Sequence, residues 1–487
     1  MQKYIIGIDQ STQGTKAVLV DDLGRIVDRI DTPHRQIISE EGYVSHDPEE
    51  IYQNTLKIVR EVIEKNQVKE EDLVACGISN QRETTVPFHT DGSAAGNAVV
   101  WQCSRAKDIV ARMTAEDPSF PDLVLERTGV PLSPFFPAPK MRWLLENEVK
   151  GDPDVRFGTI DTWLVYRLTE GKSYKTDFSN ASRTQLLNLT TLTWDEDLLE
   201  RFGIRRGQLP EIVDSNADFG STTFGGFLKN PLPIYCAMGD SHASLFALGC
   251  HQNGKTKASY GTGSSIMMNI GPEQKRSTCG LATSIAWAKD GVVSYALEGN
   301  INYSAAVISW LKNDLQMIQS PAEVEPAARA ANPEDTTILV PAFTGLGAPH
   351  WANDAKGTFT GMTRTTGRNE ILKATLESIV YQVTDVLSAM EQDSGIKIEE
   401  IRVDGGASKN GYLMQFQSDL ADTKVSRPDM EEFSALGVSY MAGLKAGLLD
   451  ESVFSKADAT VFTPQMSPEK RAQKKAQWQD ALRRTLL

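Results

Sequence analysis

The sequence predicts an α/β protein built from two large domains, and three observations support this. A chain of 487 residues is too long for one hydrophobic core, because single cores stop growing at roughly 250–300 residues. Short apolar runs of strand type alternate with helical patterns. A unit of strand, small polar turn and strand begins near residue 4 and again near residue 256. We therefore expect two similarly built domains, residues 1–250 and 251–487.

The first half opens with this unit. Residues 4–9 form an apolar run, residues 10–15 are small and polar, and residues 16–20 are apolar again. A helix is predicted to begin after Asp47, because Pro and two Glu residues follow this capping residue and apolar side chains then recur on one face. Residues 74–78 are predicted to form another buried strand.

The second half repeats the pattern. Residues 256–260 and 266–270 read as strands on either side of a Gly-Thr-Gly turn at residues 261–263. Residues 401–403 read as a strand that leads into a glycine turn. A highly charged helix is predicted from residue 468 almost to the end of the chain, with a solvated face as its expected role.

Composition excludes several classes of partner. The formal net charge is −14 and no run of Lys and Arg occurs, so we expect no nucleic-acid partner. No apolar run approaches the ~20 residues that cross a bilayer, and the N-terminus reaches a charged residue too early for a signal peptide. Five cysteines without C-x-x-C pairing indicate reduced thiols. We expect a cytoplasmic protein that is not inserted in a membrane.

Residues 249–256 match the P-loop pattern G-x-x-x-x-G-K-[ST]. A P-loop requires a strand before this loop and a helix after it, whose N-terminus receives the phosphates. Here a helical pattern precedes the loop and a strand pattern follows it. We therefore do not expect Lys255 to bind nucleotide phosphates.

Three other turns are stronger candidates for phosphate binding, at residues 9–15, 261–263 and 404–407. Small residues let backbone N–H groups approach anionic oxygens, and hydroxyl groups add further donors. Any one of them alone is better explained as a tight turn. Three together, two of them led by an aspartate, indicate a nucleotide-binding cleft between the domains.

Two further polar features follow predicted strands. Asp240 stands between a strand and a helix, where it is either a helix N-cap or a functional carboxylate. Residues 80–84 follow the strand at 74–78, at a position where α/β sheets bind ligands but where solvated loops are also common. Both alternatives stay open at each place.

The chain resembles the FGGY carbohydrate kinases almost from end to end. Residues 135–144 (FFPAPKMRWL) fit one signature segment of the family, and residues 357–362 together with 370–377 fit the other. Residues 79–85, 100–103, 161–164, 180–184 and 341–349 are similar in detail to the members that act on glycerol. The resemblance implies two actin/hexokinase-like (ribonuclease H-like) domains with an ATP cleft between them, ATP and Mg²⁺ as cofactors, and a homodimer or homotetramer.

The resemblance also implies roles for individual residues. Asp240 would be the catalytic base on a polyol hydroxyl, and Asp9 and Asp240 would hold Mg²⁺. The polyol pocket would comprise Arg82, Glu83, Trp101, Phe135, Asp240, Ser241 and Ser265. The residues that bind ATP would be Thr12, Gln13, Thr15, Lys16, Gly261, Thr262, Ala305, Ser309, Gly406, Ala407 and Asn410.

Several pocket positions depart from the members that act on glycerol. Phe135 replaces a usual Tyr, Ser241-His242 replaces Gln-Gln, Ser264-Ser265 replaces Cys-Phe, and Lys16 replaces Arg. The first expectation is the reaction of glycerol with ATP to glycerol 3-phosphate and ADP. The alternative is a four- or five-carbon polyol or ketose, because the serines open space and add hydroxyls. An alternative of another class is a non-catalytic, actin-like ATP-binding sensor.

Overall fold

The computed structural model describes residues 2–455 and 458–487. In the first half the strands are β1 (Tyr4–Gln10), β2 (Gly14–Asp21), β3 (Ile26–Pro33), β4 (Ile37–Ile38), β5 (Val44–His46), β6 (Leu73–Asn80), β7 (Val86–His89), β8 (Ala98–Val99), β9 (Val155–Gly158), β10 (Lys175–Asp177), β11 (Leu187–Asn188), β12 (Thr193–Trp194), β13 (Glu211–Val213), β14 (Ser221–Thr222) and β15 (Leu232–Gly239). The helices of this half are α1 (Pro48–Lys65), α2 (Lys107–Glu116), α3 (Phe120–Thr128), α4 (Pro137–Asn147), α5 (Ile160–Leu168), α6 (Phe178–Ala181), α7 (Glu196–Phe202) and α8 (Asp240–Ala247).

The second half continues with nine strands and six helices among the residues described. The strands are β16 (Thr256–Tyr260), β17 (Ser264–Gly271), β18 (Ala282–Lys289), β19 (Val292–Ile301), β20 (Ile338–Val340), β21 (Thr358–Thr360), β22 (Glu400–Asp404), β23 (Lys424–Pro428) and β24 (Ala459–Phe462). The helices are α9 (Ala306–Asn313), α10 (Val324–Ala330), α11 (Arg368–Ser394), α12 (Gly411–Ala421), α13 (Phe433–Lys445) and α14 (Pro468–Thr485).

Two large mixed sheets organise the molecule. The first has the order β14-β15-β6-β1-β2-β3, and the second has the order β18-β19-β17-β16-β22-β23-β24. In the first sheet β1 is antiparallel to β2 and parallel to β6. In the second sheet β16 is antiparallel to β17 and parallel to β22 in the same way. The predicted α/β class and the repeated strand–turn–strand unit are confirmed.

The local signals of the sequence also correspond to real elements. Asp47 caps α1, since its Oδ1 accepts a hydrogen bond from the Glu49 amide at 2.8 Å. The apolar stripe of α1, which includes Ile51, Val59 and Ile63, is buried. The charged helix predicted near the C-terminus is α14, which buries Trp478 and Leu482 and leaves most of its other residues at least partly exposed. None of the helices described is long and apolar enough to cross a membrane.

Helix α13 belongs to the second half of the sequence but packs on the first sheet. A Cβ added at Gly7 of β1 would lie 2.7 Å from the Ala435 carbonyl oxygen, and one added at Gly437 would lie 2.0 Å from the Ala243 carbonyl oxygen of α8. Real Cβ atoms do not tolerate such distances, so glycine at both positions allows β1, α8 and α13 to approach closely. The core beside this sheet therefore joins distant parts of the chain.

The segment that matches the P-loop pattern does not have P-loop geometry. Residues 249–255 connect α8 to β16, so a helix precedes the loop and a strand follows it. The helix N-terminus that would receive phosphates is missing directly after Lys255 in this described stretch. The expectation that this motif is a chance match is confirmed.

Candidate active site

The glycine turns of the second half lie against each other. The amide of Ala305, which precedes α9, donates to the Gly261 carbonyl at 3.1 Å, and that of Ser304 donates to the Thr262 carbonyl at 2.9 Å. Gly405 has φ +88°, and a Cβ there would lie 2.5 Å from the Tyr260 carbonyl oxygen. This position requires glycine on both counts. The structure thus brings together the predicted ATP-binding residues Gly261, Thr262, Ala305 and Gly406.

Asn410 and Ser309 extend this group. Asn410 caps α12 through its Oδ1, which accepts from the Leu413 amide at 2.9 Å, and its NH₂ group has no hydrogen-bond partner among the residues described. Ala407 lies in the short helical turn just before it. Ser309 is exposed on α9, one turn after Ala305 and so on the same side of the helix.

A cavity of about 820 Å³ joins the two halves of the chain. Asp9 and Lys16 line it from the first sheet, and the Asp404–Gly406 turn, Arg427 and Glu432 line it from the second half. Lys16 forms an ion pair of 2.7 Å with Glu432. The predicted ATP-binding lysine is therefore bound to a carboxylate across the cavity in this structure.

Asp9 is a buried carboxylate at the end of β1. Burial raises its pKa to about 6; Lys16 and a hydrogen bond from Ser79 Oγ oppose this, and the carboxylate of Asp240 adds to it. Asp9 lines the cavity, and the carboxylate of Asp240 lies near enough to act on its pKa. Mg²⁺ is usually bound through one or two carboxylates together with substrate phosphates, so this donor set fits it. No cluster of three or more metal-ligating side chains occurs in the described chain.

Arg82 is the centre of an ion-pair network. Its Nε donates to Asp240 Oδ1 at 3.1 Å, and its two Nη atoms donate to the two carboxylate oxygens of Glu298 at 2.9 and 2.8 Å. Nη2 also donates to Ser241 Oγ at 3.3 Å. Four of the five N–H groups of Arg82 are therefore used within the protein. This arrangement fixes the guanidinium beside Asp240.

Glu83 and Glu298 are linked through a second arginine. Arg183 Nε donates to Glu83 Oε1 at 2.6 Å, and Arg183 Nη1 lies 2.8 Å from Glu298 Oε2. All three side chains are buried. Burial alone would raise the pKa of Glu298, but Arg183 and Arg82 hold it well below its usual range. Glu298 therefore stays ionised, which is how a charge persists in the interior.

Asp240 is not a helix cap. The N-cap of α8 is Gly239, and Asp240 is the first helical residue. Its Oδ1 accepts from Arg82 and from the Ser241 amide, the latter at 2.6 Å. Its Oδ2 has no hydrogen-bond donor among the residues described. The carboxylate is thus held by one oxygen and free at the other, so the capping alternative is wrong.

Two aromatic side chains border the predicted polyol pocket. The rings of Trp101 and Phe135 lie 5.3 Å apart between centroids. The indole Nε1 of Trp101 donates to Thr12 Oγ1 at 2.9 Å, which connects the pocket to the β1–β2 turn. The fully buried Lys140 donates to the backbone carbonyls of both Trp101 and Phe135. Burial lowers the pKa of Lys140 to about 7, although Glu83 opposes this.

The remaining predicted ATP-binding residues lie in or beside the β1–β2 turn. Gln13 is exposed at its tip. Thr15 is fully buried, and its hydroxyl has no partner among the residues described. Thr12 is half-buried and is the one that the Trp101 indole contacts.

The sequence interpretation missed Glu298, Arg183 and Lys140 as site residues. Glu298 and Arg183 are each a single charged residue within an otherwise apolar or small-residue segment, and Lys140 follows an apolar run two positions before Arg142. Such a residue signals that a buried charge needs a partner. The spacing along the chain gives no information about which partner it finds, because Arg82 and Glu298 are 216 positions apart.

Two models of known protein domains match separate parts of the chain. Residues 4–247 match the N-terminal domain model of the FGGY family of carbohydrate kinases, and residues 256–446 match its C-terminal domain model.

Individual relatives match along their whole length. The chain is 40% identical to a glycerol kinase of Fusobacterium nucleatum, covering 99% of each chain. It is also 40% identical to glycerol kinase 2 of Thermotoga maritima, again over 99% of each. Among solved structures, Plasmodium falciparum glycerol kinase with ADP matches with a TM-score of 0.93 and 33% identity, over 100% of this chain and 99% of the other.

Proposed function

The chain belongs to the FGGY family of carbohydrate kinases and is an ATP-dependent sugar or polyol kinase, and we propose that its acceptor is glycerol and its general base Asp240. One observation carries the proposal more than any other. Asp240 is held through Oδ1 by Arg82 and by its own helix, and Oδ2 is left free to accept a proton. The relatives named glycerol kinase support glycerol as the acceptor.

Asp240 acts late in the reaction. Carboxylic acids are far stronger acids than alcohols, so a carboxylate is too weak a base to ionise an alcohol in advance. It accepts the proton as the hydroxyl oxygen bonds to phosphorus, which a loose phosphoryl-transfer transition state permits. The hydrogen bond from Arg82 keeps Oδ2 directed to one place, so the base is already oriented when the acceptor binds.

The acceptor is bound by the groups that the ion-pair network leaves free. Among the residues described, Arg82 retains one N–H without a partner, and Glu83 retains Oε2, since Arg183 binds its Oε1. These offer one donor and one acceptor to neighbouring hydroxyls. Trp101 and Phe135 cover the carbon skeleton with apolar surface, and Lys140 holds their backbones in place.

The phosphate groups are bound by the turns of both sheets. Thr12, Gln13 and Lys16 act from the β1–β2 turn, and Gly261 and Thr262 act from the β16–β17 turn. The adenosine lies near Ala305, Ser309, Gly406, Ala407 and Asn410. Asp9 and Asp240 would hold Mg²⁺, which would neutralise charge on the transferred phosphoryl group. Thr15 is buried beside this turn and supports its shape.

Asp240→Asn tests the role of the base. We expect kcat with glycerol to fall roughly 100- to 10,000-fold, the usual contribution of a general base, while nucleotide binding measured by calorimetry is retained. Asp122→Asn, an exposed aspartate on α3, is the matched control and should leave kcat unchanged. An Asp240→Asn protein that turns over glycerol at the wild-type rate would refute Asp240 as the general base. Wild-type protein that binds ATP but phosphorylates no acceptor would favour the ATP-binding sensor.

A second candidate acceptor is a four- or five-carbon polyol or ketose. The observation that favours it is the pair of small polar residues Ser241 and Ser265 beside Arg82 and Glu298. An ADP-release assay with glycerol, dihydroxyacetone, erythritol, threitol, erythrulose, xylulose and ribulose separates the two. Glycerol is the acceptor if its kcat/KM equals or exceeds that of every longer compound.

Assembly and location complete the proposal. We place the protein in the cytoplasm, as a homodimer or homotetramer, with residues 1–250 and 251–487 as its two domains. The scattered cysteines, four of which are buried and none of which forms a disulfide among the described residues, support a reducing compartment. Light scattering of the purified protein checks the assembly, since a single species of one chain would contradict it.

A further inference from the structure

Strands β17 and β19 present a row of polar side chains on one face of the second sheet. In their antiparallel pairing Ser265 lies opposite Asn300, and Met267 lies opposite Glu298. Side chains alternate between the faces of a strand, so Ser265, Glu298 and Asn300 all lie on the same face. Residues directly opposite each other have Cβ atoms about 4.5–5.5 Å apart. Asn300 is thus an immediate neighbour of Ser265.

This face is turned towards the proposed acceptor pocket. The Glu298 carboxylate on it is bonded to Arg82, which is bonded to Asp240. Ser265 Oγ donates to Glu298 Oε1 at 3.2 Å. Asn300 follows Glu298 by two residues along β19, so it borders the pocket on the side of Ser265.

The hydrogen-bonding groups of this corner are only partly used. Ser265 uses its O–H on Glu298, and its oxygen remains able to accept. Ser241 accepts from Arg82 and keeps its own O–H as a donor. Asn300 is half-buried, and its carboxamide has no hydrogen bond to any residue that the structure describes. Together these groups offer donors and acceptors in one place, which is what a hydroxyl group requires.

We propose that Asn300 is a specificity-determining residue which, with Ser265, binds a hydroxyl of the acceptor that lies beyond the three-carbon unit next to Asp240. This rests on the proposed acceptor pocket and specifies the substrate class it takes. A four-carbon polyol such as erythritol or threitol has one more hydroxyl than glycerol. That hydroxyl donates to one of the free oxygens and accepts from the Asn300 amide. Glycerol makes no such contact.

Asn300→Ala tests this proposal. The quantity to measure is kcat/KM for a four-carbon polyol divided by kcat/KM for glycerol. The loss of one hydrogen bond predicts that the ratio falls about 10-fold. Asn253→Ala, in the exposed loop before β16, is the matched control and should keep the wild-type ratio. Asn300→Ser, which keeps a hydroxyl donor and acceptor, should recover part of the ratio. Retained ADP binding shows that each variant is folded.

The outcomes separate this inference from the proposed acceptor. If Asn300→Ala lowers both kcat/KM values equally, or neither, Asn300 does not determine specificity. Wild-type protein that phosphorylates glycerol, but none of the polyols with four or more carbons, would overturn the inference and leave glycerol as the acceptor. Wild-type protein that phosphorylates four-carbon polyols but not glycerol would overturn the proposed acceptor. In that case dihydroxyacetone replaces glycerol in the kcat/KM ratio, and a fall of this ratio in Asn300→Ala would support the inference.

Discussion

At the scale of single residues, we expect the ionisation of Asp9 to limit the reaction in acid. Burial raises its pKa to about 6, and the hydroxyl of Ser79, which donates to its Oδ1, counteracts this. Only an ionised carboxylate binds Mg²⁺, so with Asp9 as a proposed metal ligand we expect kcat/KM for Mg·ATP to fall as the pH drops through about 6. Ser79→Ala removes a group that stabilises the ionised form and should move this acid limb to higher pH. Profiles of kcat/KM against pH for the two proteins measure the shift.

Two controls accompany the Ser79 experiment. Ser221→Ala, at an exposed position of β14, should leave the acid limb in place. A higher Mg²⁺ concentration should move the limb to lower pH in the wild type, because metal and proton compete for the same carboxylate. An acid limb that stays still in Ser79→Ala would mean that another group titrates there.

The sequence predicted a residue as part of the site where a polar side chain follows a predicted strand. Asp9, Arg82 and Asp240 each come directly after a predicted strand, and parallel strands bring such ends to one edge of a sheet. Glu298 and Arg183 were not predictable in the same way. Their roles depend on pairings across long stretches of chain, and a sequence records only that each charge needs some partner.

At the scale of elements, two buried histidines lie beside the β1–β2 turn: His34 directly follows β3, and His46 ends β5. His34 and His46 are both buried, with ring centroids 4.5 Å apart. The amide of His34 donates to the Gln13 carbonyl at 3.3 Å. Burial lowers the pKa of both rings. The pKa of His46 falls to about 4, and the nearby His34 contributes to this fall. Glu50 opposes the lowering of the His34 pKa.

This pair predicts a loss of stability in acid. The unfolded chain binds protons at an ordinary histidine pKa of about 6.5, whereas the folded chain binds them only at lower pH. The free energy of unfolding therefore decreases as the pH falls from about 6.5 towards 4. His34→Phe keeps a ring but removes one titrating group, so its decrease between pH 7 and pH 5 should be smaller. Urea midpoints at both pH values check this, and equal decreases in the two proteins would contradict it.

Elements were predictable because their signals are local. The β1–β2 and β16–β17 hairpins follow from apolar runs on either side of small polar residues, and α1 follows from its capping residue and stripe. The packing of α13 on the first sheet could not be read in this way. Its sequence shows an apolar helix but carries no information about which distant surface it covers.

At the scale of the whole molecule, α13 determines whether the two halves are independent. Its residues Leu436 and Val438 share one buried core with Ile5 of β1, Ala75 of β6 and Cys236 of β15. Removal of residues 251–487 would expose this face of the first sheet to water. The transfer of that apolar surface into water is unfavourable by about 25 cal/mol per Å², so the first sheet depends on chain from the second half.

We therefore expect residues 1–250, expressed alone, to lack a cooperative thermal unfolding transition and to bind a hydrophobic dye such as ANS. Co-expression with residues 251–487 should restore both cooperative unfolding and kinase activity, because α13 is then supplied in trans. In the full chain, Gly437→Leu should weaken the same contact, since any Cβ there meets the Ala243 carbonyl. Gly207→Leu is the matched control for the lost glycine, because this position is exposed and a Cβ there meets nothing within 4 Å. If residues 1–250 alone unfold cooperatively and bind no dye, the first half is a self-sufficient folding unit and α13 only docks on it.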